Sequence, residues 1–225
     1  IGTGCKYANI LNSKSNGSRD KRVTKINGII ARNQAELGKY TSAQWLTPQM
    51  DRLFIEGASG RRRFLDQIIC GLDPGHAGPL AAYEHSLRNR NKLLQEGSQD
   101  LGWLSSIEGS IARHGVAIAV RRLEAIERLQ VVCGYNNGSF PGSLIKMVGE
   151  VESWLLTEPA LAVEDRLQSA LRDSRNKDAN IGFTSVGPHR SDFIVCHGET
   201  GMEAALCSTG EQKSLLIGIV LAIAK

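Results

Sequence analysis

The last part of the chain contains residues whose types and spacing suit phosphate binding. Ser208 and Glu211 stand three positions apart just before an apolar run, which is the pattern of a capping box at a helix start. Thr209 and Gly210 would lie in the first turn, where a glycine lets a ligand approach the backbone closely. Free N–H groups at a helix N-terminus carry partial positive charge and bind phosphate oxygens. The residues alone leave two interpretations open: a phosphate site, or a well-capped core helix without a ligand.

Basic residues form a second group that could contact phosphates. Arg61, Arg62 and Arg63 are consecutive in a predicted helix, so they span nearly a full turn and cannot all face one partner. An internal ion pair, for example with Asp66, and contact with DNA phosphates are both open for these three residues. A further basic set is expected on solvated helix faces, with phosphate contact as the alternative. This set consists of Arg88, Arg90, Lys92, Arg121 and Arg122.

Several other catalytic chemistries find no support in the sequence. The five histidines form no i, i+4 pair and have no cysteine at ligand spacing, and no G-x-S-x-G motif occurs. His189 and Arg190 follow Gly187-Pro188 at a predicted turn. We expect both to have a structural role, with His189 making a local hydrogen bond.

The order of predicted elements divides the chain into three parts. Residues 1–48 are predicted to form short strands, with a hairpin turn at Asn27-Gly28. Helical periodicity dominates 49–180, with helices predicted near 60–72, 80–94, 102–132 and 158–175 and one strand near 143–150. Residues 181–225 are predicted to form two strands around Gly187-Pro188, followed by the final helix.

Composition limits the class of protein and its compartment. The chain has 225 residues, 41% of them hydrophobic, and a formal charge of +4, which is ordinary for a globular protein and compatible with DNA binding. Five scattered cysteines without a C-x-x-C pair argue against a disulfide framework and favour a reducing cytoplasm. No signal-peptide pattern occurs at the start. The final apolar run of about ten residues is shorter than the roughly 20 needed to span a bilayer, so we expect a buried helix and no membrane partner.

The stretch "CSTGEQK" resembles the signature motif of ATP-binding-cassette ATPases in the form found in the SMC-like branch. Four stretches resemble the RecF family in the right order: "WLTPQMDRLF", "SGRRRFLDQII", "VGPHRSDFIV" and "STGEQKSLLIGIVLAIAK". The resemblance covers essentially the whole chain. It implies an α/β fold: a partial P-loop NTPase head of the ABC/SMC type with a helical arm inserted. In this fold residues 1–48 would form a partial ATPase lobe, 49–180 the helical arm, and 181–225 the returning strands and the signature helix.

The resemblance also implies a function. RecF-family heads are DNA-dependent ATPases that dimerise with ATP and Mg²⁺ between two subunits and act with RecO and RecR at single-strand gaps to help load a recombinase. In such heads the signature helix contacts the ATP bound to the opposite subunit, and a glutamine senses the metal and the γ-phosphate. The glutamine that best matches is Gln49. The signature residues that match are Ser208, Thr209, Gly210, Glu211, Gln212 and Lys213.

Two positions depart from the family pattern: Cys207 stands where leucine is usual, and Ser191 where an acidic residue is usual. Thr209 departs from the general cassette motif, which has glycine there, although the family does not usually keep that glycine. A second hypothesis is that the chain is a non-hydrolysing module that binds DNA or a partner protein.

The chain lacks both motifs that would complete an ATP site of its own. No G-x-x-x-x-G-K-[ST] loop occurs, and no apolar strand ending in Asp-Glu follows the final helix. We therefore expect a central or C-terminal piece of a longer protein, and we predict that this chain alone does not hydrolyse ATP.

Overall fold

The computed structural model describes residues 25–26, 28–30, 47–97, 100–134 and 140–223. Most of the strands predicted for the first 45 residues therefore lie outside the described residues. The exception is a short antiparallel pair in which Ile26 of β1 (Lys25–Ile26) lies opposite Ile29 of β2 (Ile29–Ile30). This pair confirms the predicted hairpin turn, and Gly28 has φ +84°, a conformation that glycine adopts without strain.

Three long helices follow a 3-10 turn at Pro48–Arg52. Helix α1 spans Ala58–Leu72, α2 spans Ala77–Gln95 and α3 spans Leu101–Cys133. With 33 residues, α3 is about 50 Å long at the usual rise per residue. All three helices were predicted from their apolar periodicity, which is confirmed.

Two strands and four shorter helices complete the described fold. In chain order they are β3 (Ser143–Val148), α4 (Glu150–Leu155), α5 (Ala160–Asp173), α6 (Arg175–Ile181), β4 (Asp192–His197) and α7 (Thr209–Ile223). Strands β3 and β4 pair antiparallel along their full length, with Ser143 opposite His197 and Val148 opposite Asp192. The strand predicted near 143–150 is therefore present, and its partner comes from the last third of the chain.

Of the two strands expected around Gly187-Pro188, only the second is present. Strand β4 follows these residues, but residues 182–186 form turns and irregular structure. The physical reason is that this segment packs against helices: Gln95 donates to the Gly182 carbonyl, and Thr184 bonds to Arg90 and Asn91 of α2.

Two hydrophobic cores share the long helix α3. The first core joins α1, β3, β4, α7 and the C-terminal part of α3 around Leu65, Phe193 and Leu215. The second core joins α2, α4, α5 and the N-terminal part of α3 around Ile111 and Leu167. The final apolar run is buried in the first core, as its hydrophobicity predicted. Among the helices that the structure describes, none combines the length and the hydropathy needed to cross a bilayer.

Residues 187–192, here called the junction loop, lie where the two cores meet. The carbonyl of Pro188 accepts from Arg122 of α3, and the hydroxyl of Ser191 donates to Glu152 of α4. Asp192 accepts two hydrogen bonds from Arg61 of α1. The junction loop thus links α1, α3 and α4 through polar contacts.

Candidate nucleotide-binding helix and its surroundings

Helix α7 begins with the capping box that the sequence predicted. The Ser208 backbone N–H and hydroxyl both donate to Oε2 of Glu211, at 2.8 and 2.7 Å. In return, the Glu211 N–H points to the Ser208 hydroxyl oxygen at 3.4 Å. These hydrogen bonds, first from the Ser208 hydroxyl and then from its N–H, lower the pKa of Glu211 below its ordinary value. The carboxylate is therefore ionised and folded back onto the start of the helix.

The start of α7 is open to a ligand. Residues 208–211 are all exposed, and the backbone N–H groups of Thr209 and Gly210 have no acceptor among the described residues. A Cβ built on Gly210 meets no atom within 4 Å, so the space beside this backbone is free. Two such N–H groups at a helix N-terminus fit a phosphate group, whereas the Ser208 hydroxyl is already donated to Glu211. The ionised Glu211 carboxylate also lies at this helix start and would repel a phosphate bound there.

The other two residues of the signature stretch, Gln212 and Lys213, bond to other residues of the same chain. Gln212 is buried, and its amide donates to the carbonyl of Cys207 at 2.9 Å. Lys213 forms an ion pair with Asp51 at 2.9 Å between Nζ and Oδ2. Asp51 belongs to the 3-10 turn Pro48–Arg52 that also contains Gln49, so this ion pair ties the Gln49 segment to α7. The side chain of Gln49 lies outside the described residues.

The three consecutive arginines of α1 have different environments. Arg61 forms a two-pronged ion pair with Asp192, with both distances 2.8 Å, and also donates to the Phe54 carbonyl. Arg62 is half-buried and donates to the Ser191 carbonyl at 2.6 Å. Arg63 is exposed. The structure therefore separates the three residues, as the helical period required.

Two expectations about the other basic residues are wrong. Arg90 and Arg122 were expected on solvated faces or on DNA, but their residues are 0% and 3% exposed. Asp66 was considered as a partner of the arginines of α1, but it pairs with Arg122 at 2.7 Å and with His76 at 3.1 Å. The cost of burying a charge requires such paired and hydrogen-bonded arrangements.

Arg90 is the centre of the larger buried network. Its guanidinium lies 3.1 Å from Glu108 and 2.7 Å from Asp178, and it also donates to Thr184 and to the Leu171 carbonyl. This network joins α2, α3, α5 and α6. Sequence reasoning missed it, although Arg90 follows Tyr83 and Leu87 at helical spacing and therefore lies on the apolar stripe of α2.

His189 makes the local hydrogen bonds expected of it. Its Nε2 lies 2.9 Å from the Thr184 carbonyl and therefore carries the proton, so the Tyr83 hydroxyl donates to Nδ1 at 2.7 Å. Burial is the main cause that lowers the pKa of His189 to about 4, and the charges of Arg190 and Arg62 add to it. His189 is thus neutral near pH 7. In the described part of the chain, no group of three or more His, Cys, Asp or Glu is placed to hold a metal ion.

Comparisons with known proteins find relatives that share a name. No family model matches the chain. A DNA replication and repair protein RecF from Mesorhizobium japonicum is 42% identical over 227 residues, covering 100% of this chain and 58% of the relative. The RecF of Brucella suis is 43% identical over 97% of this chain and 57% of the relative. The chain thus spans less than two thirds of the length of these relatives.

Solved structures agree with the sequence comparison. The recombination mediator protein RecF-ATPrS in the RecFOR pathway superposes with a TM-score of 0.79 at 22% identity, over 91% of this chain and 56% of that one. RecF-ATP in the same pathway gives a TM-score of 0.77 at 24% identity over the same shares. The expected fold class, part of a P-loop ATPase head with a helical arm, is therefore confirmed. By sequence over its whole length and by fold, the chain fits a fragment of the DNA replication and repair proteins named RecF.

Proposed function

We propose that this chain supplies one side of a composite ATP site in a RecF-type recombination mediator. In this proposal the N-terminus of α7 contacts the γ-phosphate of ATP held by a second copy of the protein. The observation that carries the proposal is the exposed start of α7, where the N–H groups of Thr209 and Gly210 have no acceptor among the described residues. The relatives and the ATP-bound RecF structures support it.

The residues of α7 have separate parts in this proposal. Thr209 and Gly210 would bind phosphate oxygens through their N–H groups, and Ser208 would add its hydroxyl by turning its proton from Glu211 to the phosphate. Gln212 and Lys213 would not contact ATP but would position the start of α7. Gln212 donates to the Cys207 carbonyl, and Lys213 forms an ion pair with Asp51. When bound, ATP would supply the negative charge that joins two subunits, and this charge is reduced after hydrolysis.

Gln49 and Mg²⁺ belong to the same proposal. Gln49 would sense the metal and the γ-phosphate. The Asp51–Lys213 ion pair would hold the turn that contains Gln49 at a fixed position relative to α7. The sequence lacks the phosphate-binding loop and the Asp-Glu strand end, so we predict that the purified 225-residue chain does not hydrolyse ATP. Phosphate release above background from that chain would contradict this prediction.

The DNA and protein partners are also part of the proposal. We propose that the whole protein acts in the cytoplasm on gapped DNA with RecO and RecR and helps to load a recombinase. For phosphate contact, the structure favours Arg63, which is exposed, over Arg61, which is held by Asp192. Arg62 is half-buried and less accessible to a DNA backbone.

A pair of glycine substitutions tests the central part of the proposal. Gly210 and Gly78 are both exposed, both are the second residue of a helix, and a Cβ at either position meets nothing within 4 Å. Neither Gly210→Gln nor Gly78→Gln should weaken folding, because glycine costs a helix roughly 0.5–1 kcal/mol relative to alanine. Gly210→Gln should nevertheless block the approach of a phosphate to α7.

The measurement is ATP-dependent dimerisation of the intact protein by analytical ultracentrifugation. We expect wild type and Gly78→Gln to dimerise with ATP and Mg²⁺, and Gly210→Gln to stay monomeric with an unchanged melting temperature. Equal ATP-dependent dimerisation of all three proteins would refute the role of α7. It would favour a module that binds its partners without the signature helix.

A further inference from the structure

A cavity of about 350 Å³ opens between α1 and α2, with α3 beneath it. Helices α1 and α2 make few contacts with each other, while both pack against α3. The residues that matter for its chemistry are Arg62, Arg63 and Gln67 on α1, Leu80 and Leu87 on α2, and Ile118 on α3. Its volume is at the lower end of the range of small-ligand sites.

The two walls of the cavity differ in chemistry. On α1, Ser59, Arg62, Arg63 and Gln67 recur at helical spacing and present donors along one side. The opposite wall includes the apolar side chains of Leu80, Leu87 and Ile118, next to Tyr83 and Glu84 of α2. A ligand that satisfies both walls carries an apolar body and a charged or polar head.

Two positive charges in the cavity, those of Arg62 and Arg63, have no ionic partner among the residues that the structure describes. Arg122 lines the cavity, but its charge is balanced by Asp66, with which it makes two hydrogen bonds of 2.9 and 2.7 Å. Arg62 donates to the Ser191 carbonyl and has no carboxylate within ion-pair distance in the described part of the chain. Burial is the main cause that lowers the pKa of Arg62, and the nearby charge of Arg122 adds to it. An anion bound beside Arg62 would stabilise its charged guanidinium and so offset the destabilisation by burial and by Arg122.

A single carboxylate suits the cavity better than a dianion. Asp66 and Glu84 also line the cavity, and although Asp66 is paired with Arg122 and Glu84 with Arg88, their negative charges weaken the attraction for a dianion such as a phosphate monoester. The guanidinium of an arginine presents paired donors that match the two oxygens of a carboxylate. The apolar wall disfavours a DNA backbone, which has no apolar body and brings further charges on either side.

We propose that the cavity between α1 and α2 is a binding site for a small organic carboxylate with an apolar body. Arg62 holds the carboxylate, Arg63 and Gln67 add hydrogen bonds at the rim, and the side chains of α2 cover the apolar body. This site is separate from the start of α7, and the inference does not rest on the proposed ATP contact.

The test uses 4-phenylbutyrate as the probe on the intact protein. Saturation-transfer NMR should show contact with its phenyl ring, whereas 4-phenylbutanol, which has the same body without the charge, should bind at least about tenfold more weakly. Arg62→Gln should reduce affinity for 4-phenylbutyrate by about tenfold or more, and Arg62→Lys should keep part of it. Arg128→Gln, at an exposed position of α3, is the charge-matched control and should bind as wild type does.

A second measurement needs no variant. Cys70 lines the cavity, whereas Cys196 lies on β4 away from it. Peptide-resolved alkylation with N-ethylmaleimide should therefore slow at Cys70 and stay constant at Cys196 when 4-phenylbutyrate is added. Inorganic phosphate should give no protection.

Each result of these experiments either supports or overturns the proposed carboxylate site. Binding that depends on the carboxylate and on Arg62, together with protection of Cys70, supports the site. Equal binding of the alcohol, full affinity in a folded Arg62→Gln protein, or an unprotected Cys70 overturns it. Protection by inorganic phosphate or by DNA to the same degree would also overturn it, in favour of a general anion site.

Discussion

Arg88 and Arg90 lie two residues apart on α2, and the structure predicts opposite consequences for replacing them. Arg90 is fully buried among Glu108, Asp178 and three uncharged acceptors. The Arg88 side chain is 67% exposed and lies 3.8 Å from Glu84. Methionine has a similar length and no charge, so Arg90→Met and Arg88→Met form a matched pair.

The expected loss of unfolding free energy in Arg90→Met depends on the contacts that Glu108 and Asp178 retain without Arg90. Glu108 retains an ion pair with Arg175, which donates from Nε at 2.9 Å. Asp178 retains hydrogen bonds from Ser174 and from the Ser185 N–H, but it loses the cation beside it. Removing one partner of a buried ion pair costs about 3–5 kcal/mol, and the surviving Arg175 contact favours the lower end. Arg88→Met should change the free energy of unfolding by at most about 0.5 kcal/mol, since its ion pair is exposed.

The pH dependence gives a second signature of the same substitution. Burial raises the pKa of Asp178, but hydrogen bonds from Ser185, Ser174 and Arg90, with the Arg90 charge, outweigh it and lower the pKa below its ordinary value. The ionised carboxylate therefore stabilises wild type above its ordinary pKa, and this contribution is lost as the pH falls through the folded pKa. The stability deficit of Arg90→Met should accordingly shrink as the pH falls below about 5 and through the lowered pKa of Asp178.

The assay is urea unfolding of the intact protein at several pH values, followed by circular dichroism. A deficit of about 3 kcal/mol at pH 7 for Arg90→Met, beside an unchanged Arg88→Met, would support the reasoning. Equal and small effects of both substitutions would refute it, because Arg90 would then behave as a solvated residue.

Two further predictions concern the junction loop. Gly187→Ala should destabilise the fold by about 1–3 kcal/mol, because φ is +131° there and an added Cβ would lie 2.5 Å from the Tyr83 hydroxyl; a urea midpoint within error of wild type would contradict this. His189 stays neutral in the fold down to about pH 4, whereas unfolded histidine binds a proton near pH 6.5, so stability should rise with pH between these values. His189→Asn should flatten that rise, whereas His85→Asn, at an exposed position of α2, should leave it unchanged; an unaltered slope in His189→Asn would count against the assignment.

Apolar periodicity was sufficient to predict the long helices, since each carries a wide apolar stripe. The capping box at Ser208 and Glu211 was also predictable, because it depends on a short pattern whose partners are local. Helix α6 was not predicted: Asp178 is its buried residue, so it has no apolar stripe to reveal it. Its stability comes from tertiary contacts with the Arg90 network.

The burial of Arg90 and Arg122 was the main feature that the sequence did not predict. Arg122 occupies a position on the stripe that runs through Ile111, Ile118 and Leu129 of α3, and this placement was the available signal. Its partner Asp66 is 56 residues away, and the partner Asp178 of Arg90 is 88 residues away. No local pattern contains such pairings, because they form only when α1, α2, α3 and α6 pack together.

The central claim, that the start of α7 contacts ATP held by another subunit, is tested most directly by cross-linking. An ATP analogue with a photoreactive group on its γ-phosphate would be irradiated with the intact protein at low and high protein concentration, and the labelled peptides would be mapped. We expect labelling within residues 208–210 only at concentrations at which the protein dimerises, and its loss in Gly210→Gln. Labelling elsewhere with residues 208–210 unmodified, or the same labelling in the monomer, would contradict the claim.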